Sequence, residues 1–119
     1  MPVWLLLEAQ LRFNPDLKSI FPQNYRADLL AEASDVYYGV HFVSAPSEIK
    51  PGDQVVAELL LRAYPKDPCI IFQAGQKVYL KEGPLVRAEG TILRRWEHES
   101  ASRTVAELVK ERAGSKSNP

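Results

Sequence analysis

Residues Lys81 to Leu93 read KEGPLVRAEGTIL. The first part, Glu82-Gly83-Pro84, has the composition of a tight connection between two strands. The second is a strand that carries a residue without a side chain, Gly90, in its interior. Glycine weakens a strand unless another backbone crowds the position, so this pairing of turn and strand points to closely packed, strongly curved β-structure. Working outward, the final strand runs from about Leu85 to Trp96. Upstream, Lys77 to Leu80 and Cys69 to Gln73 flank Ala74-Gly75-Gln76 and read as a hairpin.

Period-two alternation continues toward the N-terminus. Val3, Leu5, Leu7, Ala9, Leu11 and Phe13 share one face of a first strand, and Glu8, Gln10 and Arg12 lie on the wetter face. Asn14-Pro15-Asp16 breaks it, and Asp16 to Ile20 has room for a turn of helix. A second strand is predicted from Tyr25 to Ala33. A third runs from Val36 to Val43, with Val36, Tyr38, Val40 and Phe42 on one side and His41 on the other. After a loop over Ser44 to Gly52, the residues Val55, Ala57, Leu59, Leu61 and Ala63 alternate with Glu58 and Arg62, and Pro65 and Pro68 close that strand. Six or seven short strands with almost no helix predict an all-β barrel or sandwich. Closure removes exposed edges and favours the barrel, but periodicity alone does not separate the two.

The C-terminal residues differ in kind. Thr104 is a helix cap, Glu107 stands three residues later as its capping-box partner, and Val105, Leu108 and Val109 form an apolar stripe. Gly114 is the expected end of that helix. The expected organisation is therefore a barrel over residues 1–99 followed by an amphipathic helix and tail over 100–119. The helix either docks on the barrel or serves a partner.

A chain of 119 residues with 45% hydrophobic and 25% charged residues has the length and composition of one globular domain that needs neither disulfides nor a structural metal. The run VWLLLEAQL is too short to span a bilayer and has no basic leader, so a cytoplasmic location with no membrane partner is expected. The single cysteine, Cys69, has no partner for an internal disulfide and no evident base, and reads as a strand residue. The two histidines, His41 and His98, are isolated and are expected at the surface. No CxxC, HxxxH or carboxylate cluster suggests a metal, no cofactor is implied, and no catalytic constellation is apparent. Net charge is zero, but residues 1–67 hold six Lys and Arg against nine Asp and Glu, whereas residues 68–119 hold nine against six. A basic face is compatible with that split, as is scattered solvated charge.

The order and spacing of several segments resemble the C-terminal barrel of elongation factor Tu and related translation GTPases. Lys81, Glu82, Gly83 and Gly90 match the end of that barrel. The stretch FPQNYRADLLAEASDV at residues 21–36 matches its Phe, Tyr-Arg and Asp-Val positions, and Pro51-Gly52-Asp53 and Tyr64-Pro65 match its PGD and later proline. Together the matches cover about residues 3–96. The resemblance implies a closed six-stranded antiparallel barrel that docks aminoacyl-tRNA, other RNA or a translation protein without reading bases. Carried over residue by residue, it implies RNA contacts at Lys81, Glu82 and Gly83, where glycine admits close backbone approach and lysine meets phosphate, and at Tyr25, Arg26, Lys18 and Tyr64.

The chain also departs from the pattern. Asp28 stands where the family has Gln, Leu17 and Lys18 replace a polar or basic pair, and Tyr64 replaces Lys or His. Arg26 is as well suited to pairing with Asp28 as to meeting phosphate. Tyr37, Tyr38, Tyr64, Tyr79 and Trp96 are available for stacking or for packing. No G-x-x-x-x-G-K-[ST] motif is present, so neither nucleotide binding nor GTP hydrolysis is expected. The predicted roles are RNA docking on a basic surface made by Lys77, Lys81, Arg87, Arg94 and Arg95, or protein docking through the C-terminal helix. A small-ligand site in the barrel mouth near His41 or Cys69 is a third, lesser expectation.

Overall fold

The computed structural model describes residues 2–64 and 70–117, with side chains as far as residue 113. Six strands, β1 (Val3–Phe13), β2 (Arg26–Ala31), β3 (Tyr38–Ser44), β4 (Gln54–Leu61), β5 (Lys77–Glu82) and β6 (Leu85–Glu99), are followed by a helix, α1 (Val105–Ser117). All neighbours are antiparallel, and the sheet closes in the order β1-β4-β3-β2-β5-β6, with β6 returning to β1. Strands β2, β3 and β4 pair consecutively while β1 lies beside β4, the arrangement of a Greek key. Closure leaves no edge among these strands.

The alternation read from the sequence is the inside–outside alternation of this barrel. Leu5, Leu7, Ala9, Leu11 and Phe13 are buried in its interior, where Ala57, Leu59 and Leu61 of β4 and Leu29 and Leu80 of β2 and β5 meet them. Ile20 and Ile49 form an isolated bridge between the loops preceding β2 and β4 and join the same core. Gly90 sits where the backbones come closest. A Cβ there would overlap the carbonyl oxygen of Gln10 on β1 and lie 2.8 Å from its carbonyl carbon, so only glycine lets β6 seal against β1.

Several boundaries differ from the sequence expectation. Residues 70–73 are not a strand, because both sides of β5 are already occupied by β2 and β6. Phe72 instead enters the core edge-on to Tyr38, with ring centroids 5.2 Å apart. Cys69, Pro65 and Pro68 lie outside the described residues. No helical turn forms over 16–20: Asn14 Oδ1 accepts the amide of Asp16 in a local turn, and a short 3-10 helix appears later, at Pro22–Asn24. β2 stops at Ala31, and Ala33 adopts a positive φ of 70° in the turn to β3. β6 continues beyond Trp96 to Glu99, and α1 passes through Gly114, since a helical glycine costs about 1 kcal/mol without forbidding the helix.

The helix begins as its capping box dictates. The Glu107 amide donates to Thr104 Oγ1 at 3.1 Å, and Glu107 Oε1 reaches back to the amide of Arg103 at 3.4 Å. Its apolar stripe is docked on the barrel. Leu108 is fully buried against Leu6, Val43 and Leu60 on the outer face of β1, β3 and β4, flanked by Trp4, Trp96, Val105 and Val109. Val43 is the extra residue at a β3 bulge, between the pairs Phe42–Leu59 and Ser44–Glu58.

Candidate nucleic-acid interface

The turn joining β5 and β6 stands at the end of the barrel where β1 finishes and β4 begins, as the pairings of Phe13 with Ala88 and Arg12 with Gln54 require. Gly83 holds a φ of 59°, a left-handed conformation suited to glycine, and the space where a Cβ would point is open. A bulge follows immediately: Leu80 pairs with Ala88 and Lys81 with Val86, so Arg87 is the extra residue of β6. Bulges re-aim side chains. Here Arg87 Nε donates to Glu82 Oε2 at 2.8 Å, and the Tyr25 hydroxyl donates to the same oxygen at 2.8 Å. The guanidinium also lies 5.9 Å from the Tyr25 ring centroid and makes a long, 3.4 Å contact to the carbonyl of Lys18.

This cluster is electrostatically closed. The hydrogen bond from Arg87, followed by that from Tyr25, holds the Glu82 carboxyl below its ordinary range. Burial, reinforced by Glu82, pushes the Tyr25 phenol well above its ordinary range. Lys81 is arranged differently. It pairs in register with Asp28 of β2, but its Nζ donates to the Tyr37 hydroxyl at 3.1 Å and sits 5.2 Å from that ring. Asp28, Tyr37, Gly83 and Pro84 line an open cavity of about 480 Å³ beside it.

Of the seven residues singled out in the sequence, Tyr25 and Glu82 meet through their side chains with the Lys18 carbonyl beside them, while the neighbouring Lys81 and Gly83 belong to the Tyr37–Asp28 cavity. The other two lie elsewhere. Arg26 points outward from the start of β2, across from His41, and makes no ion pair with Asp28 among the described residues. Tyr64 follows β4 at the opposite end of the barrel, where a hydrogen bond with Glu97 raises its phenol. The family pattern assigns no contact to Arg87, expected as part of the basic surface, or to Tyr37, expected to stack or pack. Arg87 enters through a bulge and Tyr37 through the loop before β3, neither of which alternation signals.

The basic surface expected from Lys77, Lys81, Arg87, Arg94 and Arg95 is largely paired with carboxylates. Lys77 lies 3.8 Å from Glu32, Arg87 2.8 Å from Glu82, and Arg94 3.8 Å from Glu8 while stacking 3.9 Å from the Trp96 ring centroid. His41 is half-buried, and burial first, then Arg62 and Arg26, lowers its basicity. Among the described residues, no group of three or more His, Cys, Asp or Glu is placed to hold a metal ion, and no helix is long and apolar enough to cross a membrane. No protein-family model matches the chain, and no curated protein is significantly similar to it.

Proposed function

We propose that this protein is a non-catalytic binding module of the elongation factor Tu C-terminal type, and that it docks the backbone of RNA, with tRNA the first candidate, on the β5–β6 end of its barrel. The observation that supports this reading is that Lys81 reaches the Tyr37 hydroxyl beside a cavity lined by Asp28 of β2, Tyr37 of the loop before β3, and Gly83 and Pro84 of the β5–β6 turn. The chemistry suits a ribose-phosphate chain. Lys81 offers an ammonium to a phosphate, and the Tyr37 hydroxyl and exposed Gly83 turn allow close approach. Asp28, which would repel a phosphate, is an acceptor for a ribose 2′-hydroxyl. The Tyr25–Glu82–Arg87 cluster holds the turn rigid and contributes little charge of its own.

Charge reversal tests the reading. Lys81→Glu should weaken binding of a tRNA, measured by fluorescence anisotropy across a salt series, by about tenfold or more and lower the slope of log affinity against log salt by about one. Wild-type affinity and slope in the folded variant would rule out Lys81 as a phosphate contact.

A second reading, a protein-docking barrel without RNA, is favoured by the pairing of Lys77, Arg87 and Arg94 with carboxylates. It requires a surface other than the apolar stripe of α1, which is already docked on the barrel. Affinity capture with and without nuclease separates the two: RNA lost on nuclease treatment supports the first, and a nuclease-resistant protein partner without RNA supports the second.

A further inference from the structure

A separate feature lies on the outer face of β2 and β3, against the first turns of α1. Arg26 and His41 face each other across the two strands. Arg62, just beyond β4, lies over the backbone of Gly39, with its Cζ 2.7 Å from where a side chain on that glycine would begin. The absence of a side chain at Gly39 is what allows a guanidinium to rest there, close enough to His41 to lower its basicity along with Arg26. The side-chain amides of Gln23 and Asn24 border the same cavity, and Val105, Ala106 and Val109 of α1 form its apolar wall. Its volume is about 440 Å³, within the range of small-molecule sites.

The charged or titratable groups lining this cavity are Arg26 of β2 and His41 of β3, while the residues α1 turns toward it are uncharged. Arg62 lies outside the lining, over Gly39, the residue that pairs with Asp28 of β2. None of the three is ion-paired among the described residues. Asp28, two residues along β2, lines the other cavity with Tyr37, Gly83 and Pro84. An arginine without a carboxylate partner, set beside an imidazole and two side-chain amides, offers several donors to one anion.

We propose that this cavity is a phosphomonoester-binding site, in which Arg26 and His41 hold the phosphoryl oxygens, the amides of Gln23 and Asn24 complete the polar side, and the α1 wall takes the organic part. Arginine presents a planar fork to phosphate, and a neutral imidazole donates through its N–H. The site depends on α1, so it belongs to the docked helix as much as to the barrel, and it is independent of Lys81.

The test is an NMR titration of the isotope-labelled full chain with inorganic phosphate, adenosine 5′-monophosphate and adenosine, with sodium chloride at matched ionic strength as the blank. Saturable shifts of the His41 ring and the Gln23 and Asn24 side-chain amides are expected with both phosphates, together with a rise in the His41 pKa on saturation. Tighter binding of the nucleotide would identify an organic phosphomonoester as the occupant, and equal binding would identify free phosphate. Arg26→Ala, at an exposed position, should weaken binding at least tenfold while the remaining spectrum is retained, and Lys81→Glu should leave it unchanged. Linear shifts matching those of chloride, or full affinity in Arg26→Ala, would overturn the proposal.

Discussion

Arg112 of α1 grips Glu58 of β4 through two hydrogen bonds, Nε to Oε1 at 2.8 Å and Nη2 to Oε2 at 3.1 Å, at a position where the Glu58 side chain is wholly removed from solvent. By alternation Glu58 belongs to the outer, wetter face of β4. It is buried because the helix lies over it, and the helix brings the counter-charge with it. Removing one member of such a pair leaves a buried charge without compensation.

Arg112→Ala should therefore destabilise the protein by about 3 to 5 kcal/mol in urea unfolding. The double variant Arg112→Met, Glu58→Gln should recover much of that loss, because the stranded charge is gone. A double variant no more stable than Arg112→Ala would show that the loss came from packing against Trp96, 5.7 Å from the guanidinium, and not from the charge.

Leu108 should behave as a core residue although it sits outside the barrel. It is fully buried, and truncating such a leucine costs about 2 to 5 kcal/mol. Leu108→Ala is expected to show this loss, and exposed Lys110→Ala almost none. Removal of residues 103–119 should go further, uncovering Leu6, Val43 and Leu60 together with Glu58, and should be seen as aggregation or a lowered melting temperature. A truncated chain as stable as the full one would mean that α1 is a detachable element.

Glycine substitutions should separate crowding from conformation. Gly83→Ala meets open space and has only the left-handed φ of 59° to overcome, about 1 to 2 kcal/mol. Gly90→Ala drives a methyl group into the Gln10 carbonyl between β1 and β6, which nothing flexible can relieve, and should cost more than about 3 kcal/mol or prevent folding. Thermal unfolding of the two variants side by side orders the effects.

The turn cluster should be visible in the pH dependence of stability. Glu82 titrates below its ordinary value of 4.5 in the folded protein, so its contribution is complete above that value and is lost as pH falls through the lower, folded value. With its side chain 46% exposed the effect is small, and Glu82→Gln should flatten the acid limb of the unfolding curve slightly. Tyr25 titrates above its ordinary value of 10.0, so its contribution is complete below that pH and declines above it. Ultraviolet titration should show a tyrosinate signal that lags the others and disappears in Tyr25→Phe. A titration curve unchanged by that substitution would contradict the Tyr25–Glu82 bond.

The pH-sensitive cluster also shows how far the chain could be read without its fold. Glu82-Gly83-Pro84 was legible as a strand connection and Gly90 as a crowded position, because turn chemistry and the lack of a side chain are properties of the residues themselves. Tyr25, Lys81 and Gly83 were singled out by resemblance, and Lys18 with them. That Arg87 would be turned onto Glu82 by a bulge, or that Arg26 would face away from Tyr25 toward His41, was not legible. The strand expected from Cys69 to Gln73 does not form over residues 70–73 for a related reason: local apolar character cannot tell whether a pairing partner still has a free side.

The faces of the strands, the capping box at Thr104 and Glu107, and the helix that follows are local properties of the chain, set by neighbours a few residues apart. The strand order, the closure of β6 onto β1, the burial of Glu58 beneath α1, and the meeting of Arg26 and His41 at one cavity arise only on folding. Those features rest on hydrogen bonds, bulges and packing between residues tens of positions apart, and period-two alternation fixes which way a side chain points without naming the strand it will meet.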